Sequence, residues 1–343
     1  MDWMAEKILV TGGNGFLGRA LLRQLRECGC RDLVSLGRSR PQANGGPDCV
    51  TFQQGDLRDA DALRRACAGR TLIFHVAART GVWGPAREFH ETNVGGTRNL
   101  IAAARTAGAS ALVLVSSPSV AYDPCRHAAG INESAPPPRR YLSPYPATKA
   151  LAETEALAAN HANFAVTALR PHLLWGPGDP HLLPRIVELA RRGKLCRVGD
   201  GRNRVTLTYV DNAARALLLA AENLRDSRTA AGRAYFIGDE PPVVLWDWLN
   251  HLLQALGLPE VRRAMSFATA YRFGAMLESV YQWLPGRPEP PMTRFIAGQL
   301  AHDHWFDLTA AKRDLRLAPV VSPAEAMADT LAWLREQTDR SEL

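Results

Sequence analysis

Four glycines follow a short apolar run near the start of the chain, in the sequence KILVTGGNGFLG of residues 7–18. The apolar run predicts a buried strand, and the amphipathic pattern of residues 16–29 predicts a helix that its last glycine ends. Glycine turns tightly and allows another part of the backbone to approach closely. A strand that passes through such a turn into a helix begins a βαβ unit, and βαβ units are typical of α/β folds with a parallel sheet.

Apolar runs alternate with helical patterns through the first half of the chain, and the second half carries mainly helical patterns. Further strands are predicted at residues 32–37, 50–57, 72–78, 111–117 and 164–171, and a loop at residues 123–144. The predicted fold class is α/β, with a Rossmann doubly wound parallel sheet in residues 1–170. Residues 171–343 are expected to form a smaller, mostly helical C-terminal substrate lobe, partly interleaved with the first domain.

Composition excludes several classes of protein. The 343 residues carry a formal net charge of +7, but lysine and arginine are scattered, so we expect no nucleic-acid partner. The six cysteines form no C-x-x-C pair and are expected to be free thiols. Because no apolar run reaches 18 residues and the N-terminus is acidic, we expect a cytoplasmic protein without a spanning helix. His302 and His304 lack a third ligand, so a surface or lid role is expected rather than a metal site.

The glycine turn predicts a dinucleotide site. Gly13, Gly15 and Gly18 match G-x-G-x-x-G between a strand and a helix, and Gly12 begins a second, overlapping match. Small residues let the backbone reach a pyrophosphate, which binds the N–H groups at the start of the helix. Phe16 and Leu17, in the first helical turn, are therefore predicted to bind the cofactor as well.

The second strand indicates which dinucleotide is bound. An NAD enzyme usually offers an acidic residue about 20 positions beyond the glycines, and this chain has Gly37 and Arg38 instead. We therefore favour NADP(H), with Arg38 pairing with the 2′-phosphate, although NAD(H) stays open if Arg38 is a solvated loop residue. Asp56 and Leu57 follow the third strand, where Asp56 can accept from adenine or cap the next helix. Ala77 lies where the cofactor passes close to the backbone, and His75 is expected to be packed in the core.

The sequence SPYPATKALAE places Tyr145 and Lys149 four residues apart at the start of a helix, so both side chains share one face. A neighbouring ammonium favours the phenolate form of tyrosine and so makes it a better proton carrier at neutral pH. The end of the preceding strand, VSSPSV, offers a hydroxyl to the same substrate oxygen. Ser117 is our first choice, followed by Ser119 and Ser116.

With these motifs the chain resembles the extended short-chain dehydrogenase/reductases, and within them the 3β-hydroxysteroid dehydrogenase branch. The resemblance covers residues 7–335 and rests on TGGNGFLG, GDL, FHVAA, TNVGGTRNL, SSPSV, YPATK, LRPHLLWGPGD and TYVDNAA. It implies catalytic Ser117, Tyr145 and Lys149, a cofactor-lining Pro171, and a structural and proton-relay role for Asn93. Gly37 and Arg38 depart from the carboxylate that is usual in the NAD-using sterol members.

The resemblance implies an oxidoreductase that interconverts a secondary alcohol and a ketone on a large apolar substrate. We expect oxidation of the 3-hydroxyl of a sterol 4-carboxylate with decarboxylation to a 3-ketosterol. The alternative is NADPH-dependent reduction of a long-chain 2-alkyl-3-oxoalkanoate, and either carboxylate could pair with Arg185 unless that residue is a surface charge. A nucleotide-sugar epimerase and a non-catalytic NADP sensor are less favoured, because the second lobe is aromatic and both Tyr145 and Lys149 are present.

The aromatic residues of the second half are expected to be partly core and partly pocket. They are Trp246, Trp248, Trp283, Phe267 and Phe273. Residues 267–284 are predicted to form an apolar helical lid that does not cross a membrane, because Arg272 and Glu278 interrupt the apolar pattern. Contact with a membrane surface and packing in the core are equally favoured for its apolar residues. We also expect a homodimer.

Overall fold

The computed structural model describes residues 1–40 and 50–341. Its strands are β1 (Lys7–Thr11), β2 (Asp32–Gly37), β3 (Val50–Gln54), β4 (Leu72–His75), β5 (Ala111–Val115), β6 (Ala128–Ile131), β7 (Ala165–Pro171), β8 (Leu174–Trp175), β9 (Arg197–Val198), β10 (Arg204–Val205), β11 (Thr208–Tyr209), β12 (Ala234–Ile237), β13 (Val243–Val244), β14 (Ala264–Met265) and β15 (His304–Phe306). Cys49, expected to be a free thiol, lies outside the described residues; Cys28, Cys67, Cys125 and Cys196 are free thiols.

The α-helices lie between these strands and beyond them. They are α1 (Phe16–Glu27), α2 (Ala60–Cys67), α3 (Ala86–Phe89), α4 (Gly96–Thr106), α5 (Pro144–Ala158), α6 (Leu182–Arg191), α7 (Val210–Arg225), α8 (Leu245–Ala255), α9 (Phe267–Tyr281), α10 (Arg294–Ala301), α11 (Thr309–Leu315) and α12 (Pro323–Ser341). A π-helical turn at His90–Gly95 precedes α4, and a 3₁₀ turn at Pro118–Val120 follows β5. No helix within the described ranges is both long enough and apolar enough to cross a bilayer.

The described residues form a seven-stranded parallel sheet in the order β12-β7-β5-β4-β1-β2-β3. The chain builds outward from β1 to β3 and then returns to the other side of β1 with β4, so the strand order reverses between β1 and β4. Ligands bind at such a reversal, outside the carboxyl ends of the strands. The glycine turn after β1 lies at this point, and the predicted Rossmann sheet is confirmed.

Apolar helices cover both faces of the sheet. On one face α1 and α7 pack through a core that includes Leu21 and Leu217, and on the other α2, α4 and α5 pack through a core that includes Leu63 and Leu100. The two cores make the sheet a rigid support for the loops at its carboxyl edge. Because α7 and β12 come from the second half of the sequence, the division at residue 170 does not separate the layers of the fold; it stays a prediction.

A smaller sheet joins the two halves of the chain. Its order is β13-β10-β15-β6, and β6 lies inside the segment predicted as a loop at residues 123–144. That prediction was wrong for Ala128–Ile131, because β6 is a strand only through its parallel pairing with β15, which lies far along the chain. A four-residue segment with little alternation carries no local signal for such pairing.

Candidate active site

The glycine turn fits a dinucleotide pyrophosphate. Gly12 has a φ of +74°, and a Cβ there would lie 2.8 Å from the backbone nitrogen of Ala77, so only glycine fits. A Cβ on Gly18 would overlap the carbonyl oxygen of Gly12. Gly15 caps α1, and within the described residues no side chain bonds to that cap and no acidic residue occupies the first turn. The N–H groups and positive dipole end of α1 therefore face an open turn that suits an anion.

His75, at the end of β4, links this turn to the start of α4. Its Nδ1 lies 2.8 Å from the hydroxyl of Thr11 and its Nε2 lies 3.0 Å from the hydroxyl of Thr97. Thr97 donates to the carbonyl oxygen of Asn93 at 2.6 Å, so it accepts from Nε2–H and leaves Nδ1 as an acceptor. Burial and the nearby Lys149 ammonium lower the pKa of His75 to about 3. His75 is a packed, neutral histidine, as the sequence predicts.

Asn93 lies in the π-helical turn and holds the loop after β4. Its Oδ1 accepts from the backbone N–H of Arg79 at 2.7 Å, and its Nδ2 donates to the carbonyl oxygen of Arg79 at 3.1 Å. The same Nδ2 lies 3.1 Å from the hydroxyl of Thr148, between Tyr145 and Lys149 on α5. Single π-turns often occur at functional sites. Here the turn fixes the loop against the helix that carries the tyrosine and lysine.

Ser143 sets the start of α5. Its hydroxyl accepts from the backbone N–H of Tyr145 and donates to the carbonyl oxygen of Val82 at 2.7 Å. Capping by serine fixes the first turn of a helix. Tyr145 therefore lies at a defined place beside the loop that follows β4.

Ser117, Tyr145 and Lys149 come together at the carboxyl end of β5. Burial raises the pKa of Tyr145, and a hydrogen bond with Ser117 opposes this shift. The Lys149 ammonium donates to the carbonyl oxygen of Val115 at 2.5 Å, and burial lowers its pKa to about 8 despite the nearby Glu153 carboxylate. Ser117 also lies 2.9 Å from the hydroxyl of Ser119. A phenol and a hydroxyl that are partly buried, beside a buried ammonium, can bind a substrate oxygen and move a proton to or from it.

A family comparison agrees with this arrangement. Residues 9–268 match the model of the 3-beta hydroxysteroid dehydrogenase/isomerase family. The chain belongs to this family. It is 46% identical to a 2-alkyl-3-oxoalkanoate reductase of Stenotrophomonas maltophilia, over 94% of this chain and 97% of that protein. It is 31% identical to the human sterol-4-alpha-carboxylate 3-dehydrogenase (decarboxylating), over 96% of this chain and 89% of that protein.

Solved structures agree with the fold. A double mutant of the dTDP-glucose 4,6-dehydratase DesIV from Streptomyces venezuelae, determined with NAD bound, superposes with a TM-score of 0.75. It is 27% identical, and the match covers 97% of this chain and 98% of that one. The family, the fold and the named relatives identify this family member as an NAD(P)-dependent oxidoreductase.

Beside Asp56, at the predicted adenosine end of the site, lies an arginine that sequence reasoning missed. Arg58 donates to the Asp56 carboxylate through Nε at 3.0 Å and Nη2 at 2.8 Å, and these hydrogen bonds hold the pKa of Asp56 below its usual range. Arg38 contributes to the same shift, so it lies near Asp56. The helix-cap alternative for Asp56 was wrong, because Asp59 caps α2 through its contacts with Asp61 and Ala62. Arg58 lies two residues after Asp56 in the sequence, and this spacing is the signal that could have identified it.

The remaining predicted cofactor residues lie along the same edge of the sheet. Leu57 is buried against Gly96, Ala77 contacts Gly12, Phe16 and Leu17 open α1, and Pro171 ends β7. Their roles as cofactor ligands stay predictions.

The surface or lid role expected for His304 was wrong. Its side chain is 1% exposed, its Nε2 donates to the carbonyl oxygen of Gln299 at 2.7 Å, and its Nδ1 lies 2.6 Å from Nε2 of His172. The ring of Tyr122 stacks on it, with centroids 6.1 Å apart. The sequence motif HDHW does not reveal this burial, because the partner His172 lies 132 residues away.

The aromatic residues of the second half do not form one pocket. Trp246 is buried and donates to the carbonyl oxygen of Leu300, and Trp248 packs edge-on against Trp175 in the same core. Trp283 and Phe273 are exposed. Arg185 pairs with Glu289 at 3.1 Å, and both side chains are exposed, which favours the surface-charge alternative for Arg185.

Proposed function

We propose that this protein reduces a 2-alkyl-3-oxoalkanoic acid to the 3-hydroxy acid with NADPH. The observation that carries the proposal is the 46% identity, over nearly the full length of both chains, to a protein named for that reaction. The sterol dehydrogenase expected first from the sequence has weaker support, since its human form is only 31% identical. Site geometry is compatible with both, because both reactions interconvert a 3-hydroxyl and a ketone beside a carbon that bears a carboxylate.

Each member of the site has a distinct role in this proposal. When bound, the nicotinamide supplies hydride to the carbonyl carbon. The Tyr145 hydroxyl gives its proton to the carbonyl oxygen, and the Ser117 hydroxyl hydrogen-bonds that oxygen as its negative charge develops. The Lys149 ammonium lowers the energy of the phenolate left on Tyr145. Hydride and proton together convert the ketone to the alcohol, and a proton from water restores Tyr145.

Preference for NADPH in this proposal rests on Arg38 and Arg58. Both guanidinium groups lie near the carboxyl ends of β2 and β3. A 2′-phosphate bound there would carry a charge of about −2, which the two arginines would offset. Arg58 also neutralises Asp56, the carboxylate in this neighbourhood that would repel the phosphate. Discrimination between the two dinucleotides then comes from cations at one end of the cofactor, far from the reacting carbon.

A reverse assay tests the proposal, because 3-hydroxy acids are easier to handle than 3-oxo acids, which lose carbon dioxide. The protein is incubated with a long-chain 2-alkyl-3-hydroxyalkanoic acid and NADP⁺ or NAD⁺, and both reduced cofactor and ketone product are measured. We expect turnover with NADP⁺ that exceeds turnover with NAD⁺. No turnover of this acid with either cofactor would overturn the proposal.

The second candidate is oxidation of a sterol 4-carboxylate, supported by the family and by the human relative. It predicts that a 3β-hydroxysterol 4-carboxylate with oxidised cofactor yields a 3-ketosterol and carbon dioxide. Turnover of the sterol with none of the alkyl hydroxy acid would replace the first candidate with this one.

A further inference from the structure

Helix α9 carries an exposed apolar ridge. Its members are Phe273, Met276, Val280, Trp283 and Leu284. They recur at three- and four-residue steps along α9 and the turns that follow it, so they line one face. Trp283 is 83% exposed, the largest value among the exposed apolar side chains of the described residues. Exposed apolar surface concentrated in this way marks an interaction surface.

The opposite face of α9 is already used for packing. Ala270 and Gly274 are buried, and a Cβ on Gly274 would lie 2.7 Å from the backbone of Thr293, at the start of α10. Glu278 also points inward, where it pairs with Arg294 at 2.6 Å. Since α9 is fixed to α10 by these contacts, the ridge faces away from the core and has no partner among the described residues.

Charge around the ridge is mainly positive, with the exposed Glu260 as an acidic residue next to its basic border. Arg262 and Arg263 precede α9, Arg272 lies on it, and Arg287 follows it; all four are exposed, and none forms an ion pair with a described residue. Glu278, neutralised by Arg294, is the one acidic residue between positions 261 and 288. Apolar side chains bordered by arginine fit the boundary between the head groups and acyl chains of an anionic bilayer.

We propose that the ridge on α9 docks this protein on the surface of an anionic lipid bilayer without crossing it. The exposed arginines before, on and after α9 complement negatively charged head groups, which favours a lipid surface over an uncharged protein face. The docked helix would lie one helix away from the site, since Gln299 on α10 donates to the hydroxyl of Tyr122 at 2.6 Å, five residues beyond Ser117. An apolar substrate dissolved in the bilayer would then reach the protein near the site.

Vesicle flotation tests the proposal without an activity measurement. The native protein is mixed at low salt with phosphatidylcholine vesicles that do or do not contain a third of phosphatidylglycerol. We expect flotation with the anionic vesicles only, and progressive release as salt rises. Replacing Phe273, Met276 and Trp283 with glutamine should lower the partition coefficient at least about tenfold.

Matched variants test the apolar side chains and the arginines of this surface separately. Val320→Asn removes an exposed apolar side chain outside the ridge and should leave binding to anionic vesicles unchanged. Arg272→Gln combined with Arg287→Gln should lower this binding about fivefold per arginine. Arg26→Gln, on the exposed side of α1, is the control for charge. Circular dichroism and melting temperature establish that the variants fold.

Three results would overturn the proposal. The first is no flotation with anionic vesicles at low salt, and the second is equal flotation of the native protein and the triple glutamine variant. The third is a change of the triple variant from dimer to monomer in light scattering, which would show that a second copy of the chain covers the ridge.

Discussion

Two polar clusters, one partly buried and one fully buried, lie near the carboxyl edge of the main sheet. The first contains Ser117, Tyr145 and Lys149, and the second contains Tyr122, His172 and His304. Burial shifts the pKa of groups in both: the pKa of Lys149 falls to about 8 and that of His304 to about 4. They differ in how their polar atoms are paired.

In the second cluster the imidazole nitrogens of His304 both have protein partners, His172 and the carbonyl oxygen of Gln299. In the first, the one hydrogen bond that the described residues give the Lys149 ammonium is to Val115, so two of its three hydrogens can serve a ligand. A shifted pKa therefore does not by itself identify a catalytic group. Donors left for a ligand beside a dinucleotide turn distinguish the first cluster from the second.

The largest expected effect comes from removing the phenol of the first cluster. Tyr145→Phe should lower kcat about 10³-fold, because no other group at the site would supply the proton, while the Kd for NADPH stays within about twofold. Stopped-flow measurement of hydride transfer and fluorescence titration of NADPH give the two values. Native turnover in this variant would remove Tyr145 from the chemistry.

Ser117→Ala should lower kcat about 10²-fold, since one donor to the developing negative charge is lost. Steady-state kinetics should show the loss in kcat rather than in the KM for cofactor. Ser119→Ala, two residues away, is the matched control and should cost less than about fivefold. A large loss of kcat in Ser119→Ala with a small loss in Ser117→Ala would instead identify Ser119 as the substrate-binding hydroxyl.

Arg38→Asp should weaken NADPH binding about 30-fold and leave NADH binding nearly unchanged, because a cation at the 2′-phosphate becomes a repulsive carboxylate. Arg31→Asp, just before the opposite end of β2, controls for the change in net charge. Isothermal titration with each cofactor gives the ratio. An unchanged ratio would exclude Arg38 from reading the phosphate.

The smallest effect on activity is expected in the second cluster. His304→Gln should change kcat less than about threefold but alter stability in acid. The folded pKa of His304 and of His172 lies below the unfolded value near 6.5, so the unfolded state binds protons first and stability falls as pH drops from about 6.5 toward 4. Each histidine contributes up to about 1.4 kcal/mol per pH unit, so urea unfolding of the variant should show a shallower fall. An unchanged slope would contradict the neutral, buried pair.

The sequence predicts the first cluster because each part carries a local signal. Glycines after β1, hydroxyls after β5 and the Tyr145–Lys149 spacing all lie within short motifs, and parallel strands bring their carboxyl ends together. The second cluster has no such signal, since His172 and His304 meet only through the pairing of β15 with β6 and β10. Strands of two to four residues that pair across 99 or more positions carry no periodic pattern that a sequence analysis could detect.

Sequence reasoning is limited in the same way around Asp56 and in residues 267–284. Sequence reasoning identifies Asp56 but not Arg58, whose side chain turns back onto that carboxylate. It predicts a helix near residues 267–284, but the face that stays exposed depends on where α10 packs. Local patterns establish which elements exist, and long-range packing decides which side chains remain available to a ligand.

The pKa of Tyr145 in the complex with NADP⁺ tests the central claim most directly. Tyrosine labelled with ¹³C at Cζ reports ionisation by NMR, and Tyr145→Phe assigns its signal among the seven tyrosines. Without cofactor, burial should keep this pKa above about 10. With NADP⁺ bound, the positive nicotinamide ring and the Lys149 ammonium should lower this pKa below its value in the protein without cofactor. A signal for Tyr145 that does not titrate below pH 10 in the complex would contradict its assignment as the proton carrier.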